Sequence, residues 1–307
     1  MVLTGYWGGW LVAGISEKHT LIGMEAVRGV WRSMRWRQWV KNLLVAAVPV
    51  LSGQILEAGV WGRTGLGFMA FSLIASGAYL LNDALDAEKD RLHPKKRHRP
   101  VAAGVVSMRT AVICGIGSVI GGLAVSLTAG WSFAIVAGAY AAHTFLYSYR
   151  LKHVPTVEMV ALASGFVLRV VAGGVLVEET VSVWLFACVA GGALMMASGK
   201  RSAELVHGKE SRAVLASYNE AYLTTVRSGA LALAVVSYAL WIFEGQLGGS
   251  VVAQISTLPY LTTILRYAQL AANGEAGEPE EIILHDRILQ FNALAWVACM
   301  GIGVILG

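Results

Sequence analysis

The chain has 307 residues, 56% of them hydrophobic and only 14% charged, with a formal net charge of +5 and a mean hydropathy of +0.61. A soluble domain carries about 25% charged residues, so this composition excludes an ordinary soluble protein. Repeated apolar runs near twenty residues point instead to a polytopic membrane protein.

Residues 1–34 are expected to form an N-terminal interfacial or poorly ordered segment. Its stretch YWGGWLVAGI is apolar but too short to span. It lacks the basic n-region of a secretory signal. Translation from Met24 is the alternative. Residues 35–307 then read as a single all-α domain of nine transmembrane helices. The runs fall near 40–57, 64–84, 108–128, 131–149, 155–177, 182–199, 228–246, 250–271 and 289–306. The 35 glycines suit close helix contact in a bilayer. Cys114, Cys188 and Cys299 lie singly inside apolar runs, which argues against a disulfide framework or a metal site.

Charge placement gives an orientation. Lys and Arg gather before run 1, between runs 2 and 3, at the 4–5 turn and between runs 6 and 7. The alternate loops hold Arg63 beside Glu57, Glu178, Glu179 and Glu244. Basic loops stay in the cytoplasm, so the N-terminus is expected inside and the C-terminus outside.

Run 2 ends in NDALDAEKDRLHPKKRHRP, Asn82 to Pro100. If the helix continues to Asp90, then Asp83, Asp86 and Asp90 share one face. Such a cluster repels itself unless a cation joins it. Mg²⁺ takes oxygen ligands, usually one or two carboxylates together with substrate phosphates. The metal candidates are therefore Asn82, Asp83, Asp86 and Asp90. The plainer alternative is a solvated helix end balanced by the cations after it. Those cations, among them Arg91, Lys95, Arg97 and Arg99, suit phosphate recognition; contact with anionic lipid heads is their alternative use.

Further polar groups lie at run ends on the same side. RWRQWVKN brings Gln38, Lys41 and Asn42 onto about one helical face, and YSYRLKHVP brings Tyr147 and Lys152. After run 6 come Lys200, Arg201 and Glu204; Lys200 and Glu204, four apart, could simply pair. Arg169 lies deep inside an apolar run, where a charge is costly and usually functional or paired. Asp286 and Arg287 read as a paired helix start.

The asparagine–aspartate segment at the end of the second of nine runs resembles the first aspartate motif of the UbiA-type intramembrane prenyltransferase superfamily. RQWVKN before it and DRLHPKKRHRP in it narrow the resemblance to a subgroup that transfers phosphoribose to a polyprenyl phosphate. The resemblance covers about Arg35 to the C-terminus. It implies a UbiA-type bundle in the plasma membrane, with the active site on the cytoplasmic face. It also implies magnesium as cofactor, and phosphoribosyl diphosphate, decaprenyl phosphate and membrane lipids as partners. Transfer would supply a precursor of cell-wall arabinan. Asp83, Asp86 and Asp90 would be catalytic.

One departure from the superfamily pattern is Lys200-Arg201-Ser202-Ala203-Glu204, where other members carry a second pair of aspartates. The exchange suits a donor with a separate 5-phosphate. No nucleic-acid partner is expected, and a homo-oligomer stays open. A prenyltransferase using a prenyl diphosphate donor and a small acceptor is the first rival. A non-catalytic transporter is the second, but it predicts ionisable groups near the bilayer midplane, where only Arg169 approaches that pattern.

Overall fold

A computed structural model describes residues 23–207, 213–245, 250–277, 282 and 285–306. The apolar stretch before residue 23, and Lys209 and Arg212 of the expected basic loop, lie outside the described residues. All regular structure in the described residues is helical.

In its described residues each of the nine apolar runs is helical, but among those residues six single helices are long and apolar enough to cross a membrane. Helix α1 covers 23–33. The first apolar run then departs from a simple span. It is a 3-10 helix over Trp36–Ala46, a short α2 at Ala47–Leu51, and a 3-10 turn at Gln54–Leu56. Pro49 lies inside α2 and can donate no backbone hydrogen bond. Helix α3 runs Val60–Leu85, α4 Ala87–Leu92, α5 Met108–Thr128 and α6 Trp131–Tyr149. Helix α6 carries His143, Thr144, Ser148 and three tyrosines, Tyr140, Tyr147 and Tyr149, and is not among those six. Helix α7 is Val157–Leu176, α8 Val183–His207 and α9 Glu220–Glu244. The eighth run is divided at Ser256 into α10, Val251–Ile255, and α11, Thr257–Ala272. Helix α12, Arg287–Leu306, closes the chain.

The chain divides into two compact units. One comprises residues up to Trp39 with Ser72–Gly122, the other Val40–Phe71 with Leu123–Gly307. In the first, Leu80, Ala84 and Ala87 pack with Val101, Val106 and Ala111. Helices α3 and α5 approach so closely that a Cβ on Gly77 would lie 2.5 Å from the Gly115 carbonyl oxygen. Only glycine permits that contact, which is how small residues bring membrane helices together. In the second unit, α8 and α9 meet in the same way, a Cβ on Gly191 falling 2.8 Å from the Ala230 oxygen.

The outward surfaces are apolar. Ile113, Ile116 and Ile120 of α5, and Phe291, Leu294, Val297 and Ile305 of α12, are all exposed. Stripes of that size on water-facing helices would aggregate; on lipid they cost nothing. The three cysteines are unpaired.

Candidate functional site

The aspartate segment is built where α3 ends. Asp86 sits in a turn between α3 and α4. The helical hydrogen bonding nevertheless carries through it, from Asp86 N to the Asn82 oxygen and from Asp90 N to the Asp86 oxygen. The one-face register of the three aspartates is thereby largely kept. Asp83 and Asp90 are buried, Asp86 and Asn82 half-buried.

The two buried acids converge on one guanidinium. Arg99 Nη1 donates to Asp90 Oδ2 at 2.7 Å and to Asp83 Oδ1 at 3.3 Å. Arg35 Nη2 donates to Asp83 Oδ1 at 2.5 Å. Arg35 also lies over the Tyr79 ring, 4.7 Å from its centroid.

Arg35 is held by its neighbours. It stands between α1 and the 3-10 helix with φ +53°, a left-handed conformation that side chains other than glycine seldom adopt. The Ser76 hydroxyl donates to the Met34 carbonyl, and Trp39 Nε1 donates to the same hydroxyl at 3.0 Å. Trp39 and Trp31 meet edge to face at 6.0 Å. Trp39 therefore anchors the chain next to Arg35, whereas in the sequence it is indistinguishable from a tryptophan of the interfacial belt.

Among the described residues, no three His, Cys, Asp or Glu side chains gather at metal-binding spacing. The donor set still fits one hard cation. Two carboxylates already share a single positive group, the amide of Asn82 and the carboxylate of Asp86 belong to the same turn, and Mg²⁺ needs few protein ligands when phosphate completes its shell.

Of the expected phosphate-binding residues, Arg91 donates to the Ala102 carbonyl and Arg97 to the His98 ring. Lys95 is exposed; Gln38, Lys41, Tyr147, Lys152 and Lys200 are half-buried. Arg201 lies deeper, because α8 continues to His207 and carries it inside. Its Nε and Nη2 donate to the two oxygens of Glu158 at 2.7 and 2.6 Å, and its Nη1 donates to Glu204 at 2.5 Å. Glu204 thus pairs with Arg201, and three guanidinium directions are taken by carboxylates. Tyr218 donates to Glu158 at 3.4 Å and accepts from the Thr156 N–H at 2.7 Å. Burial pushes the Tyr218 hydroxyl pKa up, with the Glu158 charge adding to the shift, so it remains a donor.

Thr156 is strained at φ +66° and ψ −51°. The Val157 N–H donates to the Pro155 carbonyl across it, a γ-turn of the rarer hand. The turn swings α7 inward so that Glu158, in its first helical turn, is completely buried.

Arg169 and Asn42 come together in the second unit. Arg169 Nε donates to Asn42 Oδ1, Nη1 to the Gly165 carbonyl and Nη2 to the Tyr140 hydroxyl, each at 2.7 Å. The guanidinium also rests on the Tyr140 and Phe166 rings. Asp286 pairs with Arg266 and not with Arg287; it also caps α12 by accepting from the Leu289 N–H. Sequence reasoning passed over Arg35, Tyr140, Glu158 and Tyr218.

An all-helical membrane bundle whose first long helix ends in an asparagine–aspartate turn belongs to a recognisable class. The UbiA prenyltransferase family model matches residues 45–285, and the chain belongs to that family. Within it, the chain is similar to decaprenyl-phosphate phosphoribosyltransferase of Mycobacterium tuberculosis (strain ATCC 25618 / H37Rv). The two are 42% identical over 295 residues, which cover 92% of this chain and 96% of that one. The protein of the same name from Corynebacterium glutamicum is 40% identical over 289 residues, covering 91% and 87%. Among solved structures, a UbiA homolog from Archaeoglobus fulgidus bound to GPP and Mg²⁺ matches with a TM-score of 0.70 at 18% identity. It covers 91% of this chain and 100% of that one. That likeness concerns the fold alone.

Proposed function

We propose that this protein transfers 5-phosphoribose from phosphoribosyl diphosphate to decaprenyl phosphate, giving decaprenylphosphoryl-5-phosphoribose and pyrophosphate. The observation that carries the reading is 42% identity along nearly the whole of both chains to a decaprenyl-phosphate phosphoribosyltransferase. The chain is a multi-pass membrane enzyme. In this reading it has nine spans in the plasma membrane, an inside N-terminus, a cytoplasmic active site, and residues 35–307 as its catalytic part. The product would feed cell-wall arabinan synthesis.

Asp83 and Asp90, with Asn82 and Asp86, would hold Mg²⁺, which supplies Lewis-acid neutralisation of the departing pyrophosphate. The C1–O bond to the diphosphate breaks as positive charge develops on the ribose ring. The acceptor is a phosphate oxygen, already ionised at neutral pH, so the chain needs no strong general base. Its residues contribute position and electrostatic stabilisation. Arg91, Lys95, Arg97 and Arg99, with Gln38, Lys41, Asn42, Tyr147, Lys152, Arg169 and Lys200, are the proposed substrate contacts. Arg201 and Glu204, gripped with Glu158, serve better as the frame that orients this end of α8 than as a free phosphate clamp.

The test is a membrane assay with labelled phosphoribosyl diphosphate and a series of polyprenyl phosphates, run beside prenyl diphosphates with small acceptors. Labelled lipid phosphate is expected only in the first arm. Turnover in the second arm alone would make the protein a prenyltransferase; turnover in neither would revive the transporter reading.

A further inference from the structure

Three of the arginine sites differ in how far the cation itself is buried. Arg201 is 1% exposed, locked between Glu158 and Glu204. Arg169 is 6% exposed, ringed by neutral acceptors. Arg35 and Arg99, by contrast, have side chains 29% and 27% exposed, yet reach an Asp83 that is only 2% exposed. The acids are fixed and buried while their cations arrive from the surface. Such cations can leave without dragging a charge out of the protein interior.

The charges balance in a particular way. Two carboxylates, Asp83 and Asp90, face two guanidiniums, so these four charges offset one another. A bare divalent cation entering it meets two positive groups already in place. A divalent cation carrying a diphosphate brings with it the anion that those guanidiniums can take up.

We propose that Arg35 is a stored counter-ion for the leaving diphosphate. It neutralises Asp83 in the free protein and moves to a diphosphate oxygen when the metal-bound diphosphate displaces it from the carboxylate. Arg99 makes the same exchange from Asp83 and Asp90. The inference rests on the reading that these aspartates hold the metal. Two local features suit Arg35 to the task. Its backbone is held left-handed at φ +53°, and strain of this kind concentrates at functional positions. Its guanidinium also lies on the Tyr79 ring, which accepts a cation face-on and leaves the guanidinium edge free to change partners. The exchange makes metal and diphosphate bind together better than either binds alone, a reciprocal coupling between two ligands. It also keeps free metal from occupying the acids unproductively.

A purely structural ion pair and a stored counter-ion predict different signs. Removing Arg35 takes a positive charge off Asp83, so bare metal should bind more tightly. The same removal deprives the diphosphate of a ligand, so the metal–diphosphate complex should bind more weakly. The experiment measures dissociation constants of the full-length protein in lipid nanodiscs for Mn²⁺ alone, by its spin resonance, and for preformed Mn²⁺–pyrophosphate. Parent, Arg35→Gln, Arg35→Lys and Arg99→Gln are compared, with Arg109→Gln as an exposed control for lost charge. Arg35→Gln and Arg99→Gln are each expected to bind Mn²⁺ about fivefold more tightly and Mn²⁺–pyrophosphate about tenfold more weakly than the parent. Arg35→Lys should restore the weak affinity for bare Mn²⁺, and Arg109→Gln should match the parent. Shifts of the same sign in both titrations, or no shift in either arginine variant, would overturn the inference while leaving the metal reading intact. A parent that binds neither Mn²⁺ nor Mn²⁺–pyrophosphate, or binds both as well after Asp83→Asn, would remove the metal reading and the inference with it.

Discussion

Arg201 and Glu158 form a two-pronged ion pair sealed from solvent, with the two side chains 1% and 0% exposed. Glu204 adds a second carboxylate, so one guanidinium holds two acids apart from each other. Removing it leaves two buried negative charges with nothing between them. Arg201→Met should therefore destabilise the protein by about 3–5 kcal/mol, the cost of orphaning buried charge. Adding Glu158→Gln should recover part of that loss, because one of the orphaned charges is gone. Thermal unfolding in detergent measures both variants. If the double variant is restored in stability and also in donor KM, Arg201 is a frame. If its stability returns while donor KM stays about tenfold raised, Arg201 touches the donor after all.

Asp83 and Asp90 converge on Arg99, and that convergence is the basis for expecting metal dependence. Asp83→Asn and Asp90→Asn preserve shape and remove charge. Each should reduce kcat by about 100-fold or more, the scale for losing a group that stabilises transition-state charge. Chelation should stop the parent enzyme and added Mg²⁺ should restart it. Turnover that persists undiminished in EDTA would rule out the metal.

The fold class and the aspartate turn were open to sequence reasoning because both are local. Hydrophobic runs announce helices, and three acids at helical spacing announce a shared face. What stayed hidden depended on partners far along the chain. Arg35 and Asp83 are 48 residues apart, Glu158 and Arg201 are 43. In the sequence Glu158 is one acid at the start of an apolar run, which any helix N-terminus accommodates. Nothing local shows that a strained turn at Thr156 rotates it inward. The helix interruptions at the first and eighth runs were hidden for a related reason. Hydropathy records how apolar a run is, while Pro49 and Ser256 alter its hydrogen bonding.

Asp286 offers a prediction in pH. Hydrogen bonds from Arg266, then from the Leu289 N–H, hold its carboxyl below the usual 3.8. A carboxyl with a depressed folded-state pKa stabilises the fold above its unfolded value, and that contribution is lost as pH falls through the folded-state value. Asp286→Asn should therefore be less stable than the parent at neutral pH. The gap should close as the pH is taken well below 3.8. Asp286→Ala additionally removes the α12 cap, worth about 1 kcal/mol, so its deficit should persist in acid. Unfolding midpoints of the three proteins across pH test this. A gap between parent and Asp286→Asn that is constant with pH would show that the ion pair does not stabilise the fold.

Arg169 supplies the last prediction, and it separates two roles. Among the described residues it has no carboxylate partner. Its hydrogen bonds go to Asn42, Gly165 and Tyr140, which diverge around the planar guanidinium. They join the first helical run, α6 and α7. If the residue is a pin for these three segments, geometry matters more than charge. Lysine has three donors on a single point and cannot reproduce the fork, so Arg169→Lys should be nearly as damaging as Arg169→Leu. Asn42→Ala removes one charged hydrogen bond and should cost about 1.5–3 kcal/mol. Combined with Arg169→Leu it should add little, since both remove the same contact. If Arg169 instead binds the lipid phosphate, charge matters more than geometry. Arg169→Lys would then keep most activity, and Arg169→Leu would fold normally with a raised KM for decaprenyl phosphate. Unfolding in nanodiscs and acceptor-varied kinetics on the four variants decide the matter. A pin predicts lowered unfolding midpoints in all four, with Arg169→Lys close to Arg169→Leu. Parent-like midpoints with acceptor KM alone displaced would give the residue to the substrate.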